Sequence, residues 1–368
     1  MKKLFLSLVA ACGMLANAEA IKIGIVLPIS GAVGGFGELG KRGIDLAYAA
    51  KNKTKNGDNI ELIFVDNKSD KIESANAMQK LISADNVSVV IGPMVSTNAL
   101  AMVKIADDNR VPLIAPVATN DRVTQGKKFV SRISFADSFQ GLIAANLAFR
   151  ELKARKAAIL FDNSSDYSIG LAKSFKNQFK KLGGEIVIET NAQAGTRDFK
   201  AQISNIKSKN PDVLYLPIYY NEGALIAIQA KQLGLDVPTI GGDGLASNKI
   251  FFEVSKGAGE GYMVTDYYST NSVQTPQGIA FIKAYGEKYN EPVSSFAVMF
   301  ADAYGIALEA IEKCGGKDRI CINNVIQFIK DYEGIGGKFS LQNGEAIRSA
   351  VINEVKDGQL VYKTTIQP

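Results

Sequence analysis

VVIGPMVSTNALAMVKIADDNRVPLIAPVATN, residues 89–120, carries the pattern that decides the fold. The apolar run Val89, Val90, Ile91 stops at Gly92-Pro93, and the small polar residues Ser96, Thr97 and Asn98 then open a helix that ends near Asn109. That order is a strand, a turn and a polar-headed helix. A Val-Pro entry leads into a second strand, Val111 to Ala115, which ends in the small turn Pro116-Val117-Ala118-Thr119. Two strand ends are thereby brought close together.

A second stretch, VLYLPIYYNEGALIAIQAKQLGLDVPTIGGDGLAS at residues 213–247, repeats that order of strand, turn, helix, Val-Pro, strand and turn. Aligning Val111-Pro112 with Val237-Pro238 sets Asp243 opposite Val117, and the Tyr219 to Glu222 turn opposite the Met94 to Ser96 turn. Ligands of open parallel sheets bind beyond the carboxyl ends of the strands, so two such halves facing each other make a cleft. One lip offers hydroxyls and free helix N-terminal amides, which suit an anion; the other offers a carboxylate, which suits a cation. A free amino acid satisfies both.

With 368 residues, 46% apolar and 21% charged, the chain has the size and composition of two globular domains. Its net charge of +5 is spread evenly, which gives no footing for nucleic acid. Residues 1–20 read as a secretory signal peptide: Lys2 and Lys3, an apolar core from Leu4 to Leu15, then Ala16, Ala18 and Ala20. Cleavage after Ala18 or after Ala20 fits. Val9-Ala10-Ala11-Cys12 resembles a lipobox, but cleavage before Cys12 leaves too short an apolar core, so a lipid anchor is the weaker reading. Export then leaves Cys314 and Cys321, spaced as Cys-Gly-Gly-Lys-Asp-Arg-Ile-Cys, as a disulfide pair rather than a metal site.

Along the chain, Ile21 to Pro28 reads as a buried strand, and a loop from Ile29 to Leu39 leads to a helix ending near Lys51. Gly35-Phe36-Gly37-Glu38-Leu39-Gly40 matches a dinucleotide fingerprint literally, but it begins too late after the strand for that tight turn. The better reading is a flexible glycine-rich loop that presents Phe36 to the cleft. Strands alternating with helices indicate an α/β fold with parallel sheets. The first passage between lobes is placed near Ile133 to Gln140. Later segments repeat the pattern: a strand at Ala157 to Phe161, a polar loop ending at Tyr167, and a helix from Ile169. Gly261 to Tyr268 reads as a strand returning to the first lobe, and Ile347 to Val355 with Leu360 to Ile366 as a closing hairpin. The expected domains are 21–138 with 267–346, and 139–266 with 347–368, joined by three crossover strands whose waist allows bending.

Taken together, Ile21-Lys22-Ile23-Gly24, Gly92-Pro93, Pro116-Val117-Ala118-Thr119, the Asp162 to Gly170 loop, Gly241-Gly242-Asp243-Gly244 and Asp302-Ala303-Tyr304 resemble the type I periplasmic binding proteins. Within that family the likeness is to Leu/Ile/Val-binding receptors of ABC importers, over essentially the whole chain after residue 20. The resemblance implies two doubly wound parallel-sheet lobes, an amino-acid ligand, no cofactor, a membrane permease as partner, a monomer, and a periplasmic location. Carried over by position, it implies that Ser96, Thr119 and the main chain of Val117 hold the ligand carboxylate. Asp243, where many relatives have glutamate, pairs with the ammonium. Tyr167 and Tyr219, the latter rather than Tyr220, cover the ligand, and Phe36, Val95 and Ala118 line its side-chain pocket. A disulfide that some relatives carry near this site has no counterpart here, since Val95 occupies one of its positions.

An enzyme is disfavoured, since the chain has no histidine for acid–base or metal chemistry and no GxSxG elbow. A receptor of the same fold for an amide, urea or an aromatic acid is the alternative, as is a sensor acting through a separate receptor.

Overall fold

Ile21–Leu27 (β1) pairs in parallel with a strand on each side, and only an apolar sequence tolerates that position, because both of its faces are covered. The computed structural model describes residues 20–272 and 275–368. Except for Ala20, the expected signal segment, Cys12 included, lies outside the described residues. Among the described residues no helix is long and apolar enough to cross a membrane.

Beside β1 run Ile60–Asp66 (β2), Val89–Ile91 (β3), Leu113–Ala115 (β4) and Val130–Arg132 (β5), all parallel. The second set is Lys156–Asp162 (β6), Glu185–Ala192 (β7), Val213–Leu216 (β8), Thr239–Gly241 (β9) and Met263–Asp266 (β10), again parallel. Tyr332–Gly334 (β11), Gly337–Gln342 (β12) and Glu345–Ile347 (β13) extend the first set; Ala350–Lys356 (β14) and Gln359–Ile366 (β15) extend the second. Among the described residues the result is an eight-stranded sheet ordered β11-β12-β13-β5-β4-β3-β1-β2 and a seven-stranded sheet ordered β15-β14-β10-β9-β8-β6-β7. These are two α/β lobes with mostly parallel sheets, and the chain passes between them after β5, after β10 and after β13.

The helices are Gly34–Ala50 (α1), Lys71–Ser83 (α2), Ser96–Asp108 (α3), Asp137–Asn146 (α4), Asp166–Lys181 (α5), Lys200–Ser208 (α6), Tyr220–Gln232 (α7), Lys249–Ser255 (α8), Pro276–Tyr289 (α9), Ser295–Cys314 (α10) and Arg319–Gln327 (α11). α10 is buried along most of its length, which explains why its sequence is apolar all round. At its end the sulfurs of Cys314 and Cys321 lie 2.06 Å apart.

Four expectations are corrected. The glycine-rich segment is not a flexible loop: Gly34 starts α1, and the glycines allow close packing. A Cβ on Gly37 would sit 2.0 Å from the Pro28 carbonyl oxygen, and one on Gly43 would sit 2.0 Å from that of Ala297. Tyr167 lies in the first turn of α5 rather than in a loop, because Ser165 caps that helix and it begins at Asp166, three residues before Ile169. β10 belongs to the second sheet, parallel to β9 and antiparallel to β14, so the return to the first lobe follows it. Ile347 ends β13 of the first sheet, and the closing hairpin begins at Ala350.

Candidate functional site

The repeated units build matching lips. α3 and α7 are both 13 residues long, and their N-cap positions are Val95 and Tyr219. β4 and β9 then end at Ala115 and Gly241, so Val117 and Asp243 stand two residues beyond equivalent strand ends. The offset read from sequence therefore holds for the second strand. The helices start at Ser96 and Tyr220, which sets Ser96 opposite Tyr220 and Val95 opposite Tyr219.

On the first lip the amides of Ser96, Thr97 and Asn98 precede the first helical bond of α3, from Ala99 N–H to Val95 O at 3.0 Å, and point out of the helix end. The Ser96 hydroxyl accepts from Asn120 N–H at 3.1 Å, which leaves its own proton to donate. Thr119 is fully buried, and its hydroxyl lies beside the buried Asp137 carboxyl without a bond of good geometry. Arg132 holds this loop from behind: it is 1% exposed, donates to the carbonyls of Thr119 (2.7 Å) and Asn120 (2.8 Å), and pairs with Glu345 at 2.8 Å. Val95 and Val117 belong to the apolar core that also holds Phe36. Ala118, expected in the side-chain pocket, is buried on the other side of this turn. It packs with Val90, Ala99 and Met102 under α2 and α3, as strand-like alternation around Val117 and Thr119 demands.

On the second lip Asp243 is 3% exposed. Its Oδ1 accepts from Gln140 Nε2 at 2.9 Å and its Oδ2 from the Tyr267 hydroxyl at 2.7 Å. Burial pushes its carboxyl up to about 6, while the hydrogen bonds from Tyr267, Gln140 and Tyr167 oppose the rise. Burial likewise raises Asp137, at the start of α4, well above the ordinary carboxyl range. The Tyr167 hydroxyl accepts from Gly244 N–H at 3.1 Å, and its ring stacks on Tyr219 with centroids 4.9 Å apart. Phe36 meets Tyr219 at 5.7 Å, Tyr220 at 4.6 Å and Phe296 at 4.7 Å, all edge-on. Both tyrosines of the ambiguous pair thus touch Phe36, but Tyr219 alone also stacks on Tyr167.

The lips are closed on each other. Asp166 N–H donates to the Thr97 hydroxyl at 3.0 Å, and Asn120 Nδ2 donates to the Asp166 carbonyl at 2.8 Å. Farther round, Glu291 accepts from Arg42 and from Lys249, each at 2.7 Å. A hollow of about 870 Å³ on the flank of the first lobe, between Ala47, Phe281 and Tyr304, lacks comparable chemistry; charges at its rim pair with one another, Lys51 with Glu312 and Lys313 with Glu309.

The structure brings together Ser96, Thr119, Tyr167, Tyr219 and Asp243, which the sequence reading named, with Gln140, Tyr267, Phe296 and Arg132, which it did not. Each of those four acts across a long chain separation, which no local pattern reveals.

Known proteins share this fold. A Leu/Ile/Val-binding protein of Rhizobium johnstonii is 30% identical over 322 residues, covering 86% of this chain and 86% of that protein. A leucine-binding protein from Thermotoga maritima has a structure of TM-score 0.92 and 37% identity, covering 95% of this chain and 99% of that one. The branched-chain amino acid transporter substrate-binding protein LivJ of Streptococcus pneumoniae, solved with isoleucine, gives 0.89 and 33%, covering 95% and 100%. The profile of the periplasmic binding proteins matches residues 20–359, and the chain belongs to that family.

Proposed function

We propose that this chain is an exported receptor that captures leucine, isoleucine or valine between its lobes and delivers it to the permease of an ABC importer. The observation that carries this reading is the chemical asymmetry of the lips. The buried Thr119 hydroxyl, the Ser96 hydroxyl and the α3 amides suit a carboxylate, and the buried Asp243 carboxylate opposite suits an ammonium. Phe36, Tyr219 and Phe296 supply an apolar surround for an aliphatic side chain. Relatives named for leucine, isoleucine and valine support the same ligand class. A receptor for an uncharged amide, urea or an aromatic acid is the poorer reading, because each would leave Asp243 buried without a cation.

In this reading the protein works in the periplasm as a monomer, with the Cys314–Cys321 disulfide formed, and catalyses no reaction. Residues 1–20 direct export. The sheets divide the mature chain into the two bodies that close on the ligand, bending where the chain passes between them. Ser96, Thr119 and the main-chain N–H of Val117 hold the carboxylate, and Tyr167 and Tyr219 cover the ligand.

A thermal-shift panel of the standard amino acids tests the proposal. Leucine, isoleucine and valine at about 100 times Kd should each stabilise the fold by about 2.7 kcal/mol. Alanine and glutamate should move the melting temperature far less. Stabilisation by glutamate and not by leucine would refute the apolar pocket.

A further inference from the structure

Tyr267 stands where the three passages between the lobes meet. It directly follows β10 and is 2% exposed. Its ring packs on Phe135 of the first passage at 4.6 Å and on Phe296 at 6.4 Å, while its carbonyl accepts from Arg348 of the third passage at 3.4 Å. From this pivot the hydroxyl reaches both lips at once, 2.7 Å from Asp243 Oδ2 of the second lobe and 3.2 Å from the Val117 carbonyl of the first.

A phenol has one proton, and both of these neighbours are acceptors. The shorter, charge-assisted bond takes that proton to Asp243. What remains is a cluster of acceptors: the phenol lone pairs, the Val117 carbonyl and the Asp243 carboxylate lone pairs that Gln140 and Tyr167 leave open. Asp243 Oδ1 is turned away to Gln140. Two residues past Val117 lies the buried Thr119 hydroxyl, beside Asp137. A group with three N–H donors suits this spot, and one with fewer leaves a buried acceptor unsatisfied.

We propose that Tyr267 is a specificity-determining residue whose hydroxyl is an acceptor for the ligand's primary ammonium, between Asp243 and the Val117 carbonyl, so that primary α-amino acids are selected over N-methylated ones. The inference rests on the reading that Asp243 takes the ammonium.

Calorimetric titration of wild type, Tyr267→Phe and Asp243→Asn with leucine and N-methylleucine, from pH 5 to pH 8, tests it. Wild type should prefer leucine by about tenfold or more, and Tyr267→Phe should weaken leucine by a similar factor while narrowing that preference. The pH midpoint of leucine binding should also move up, because Asp243 loses the donor that favours its ionised form. Asp137, Asp266 and the phenols of Tyr167, Tyr215 and Tyr219 also surround Asp243, and the substitution leaves all of them in place. An equal loss for both ligands with an unmoved midpoint would make Tyr267 structural and overturn the proposal. So would equal wild-type affinity for the two ligands, a measurement that needs no variant to fold. Loss of leucine binding in Asp243→Asn with none in Tyr267→Phe would overturn this inference alone; no loss in either would overturn the ammonium reading itself.

Discussion

Asp243→Asn is expected to weaken leucine binding by about 3–5 kcal/mol, the cost of removing one partner from a buried charge pair. That corresponds to a loss of roughly 100-fold to several thousand-fold. The free protein should respond the other way. The carboxyl sits at about 6 in the fold, against roughly 3.9 in the unfolded chain. A raised folded value means that this group's contribution is fully present below about pH 4 and is lost as the pH rises through 6. At pH 7 the ionised, unliganded Asp243 therefore costs stability, by about 3 kcal/mol at most, and the neutral amide removes that cost. Chemical denaturation at pH 7 and at pH 4.5 separates the effects: the variant should gain on wild type at the higher pH and not at the lower. An equal loss of stability and affinity would mean that Asp243 is a packing residue.

Arg132→Met is expected to cost about 3 kcal/mol of stability. It strips the Thr119 and Asn120 carbonyls of their buried donor, at about 1–3 kcal/mol each, and frees the loop that carries the carboxylate lip. Arg132→Lys should fall between, since a point ammonium cannot serve two carbonyls and Glu345 as the guanidinium fork does. Urea midpoints with unchanged slopes measure the first effect, and leucine titration of the folded variants measures the second. A variant that binds leucine like wild type would show that Arg132 supports the fold without setting the lip.

The legible part of this fold was its repetition. Strand ends marked by Gly92-Pro93 and Gly241-Gly242, and the small polar head of α3, are local signals whose physics is complete within a few residues. The misread parts are those where distant contacts outvote local preference. Five glycines in the first ten residues of α1 look like a loop, because glycine disfavours helices. They stand in a helix because Gly37 and Gly43 let it press against Pro28 and Ala297. β11 to β13 and α11 went unseen because they are short and lack a clean period. Asp302 is a further case: its resemblance to family residues marked it, but only the fold shows its carboxylate accepting from Ile335 N–H at 2.6 Å and Gly336 N–H at 2.9 Å, where it fastens the β11–β12 turn.

Within the site, the lips were legible and their supports were not. Asp243 sits at a duplicated strand end, so the repeat picked it out, whereas Thr119 was named through the family resemblance. Gln140 and Tyr267 reach Asp243 from 103 and 24 residues away in the chain. Nothing near them in sequence announces a binding role; Tyr267 reads as one more apolar residue beside a strand.

The claim that most needs testing is that the two lips grip the two charges of one zwitterion. Calorimetric titration of the purified protein with leucine, 4-methylpentanoate and 3-methylbutylamine does so, because the last two present the same apolar chain with one charge each. Leucine should bind more tightly than either by at least about 100-fold, since each half-ligand leaves one lip's buried charge or donors unanswered. Binding of 4-methylpentanoate as tight as that of leucine would contradict the claim, because Asp243 would then face no ammonium.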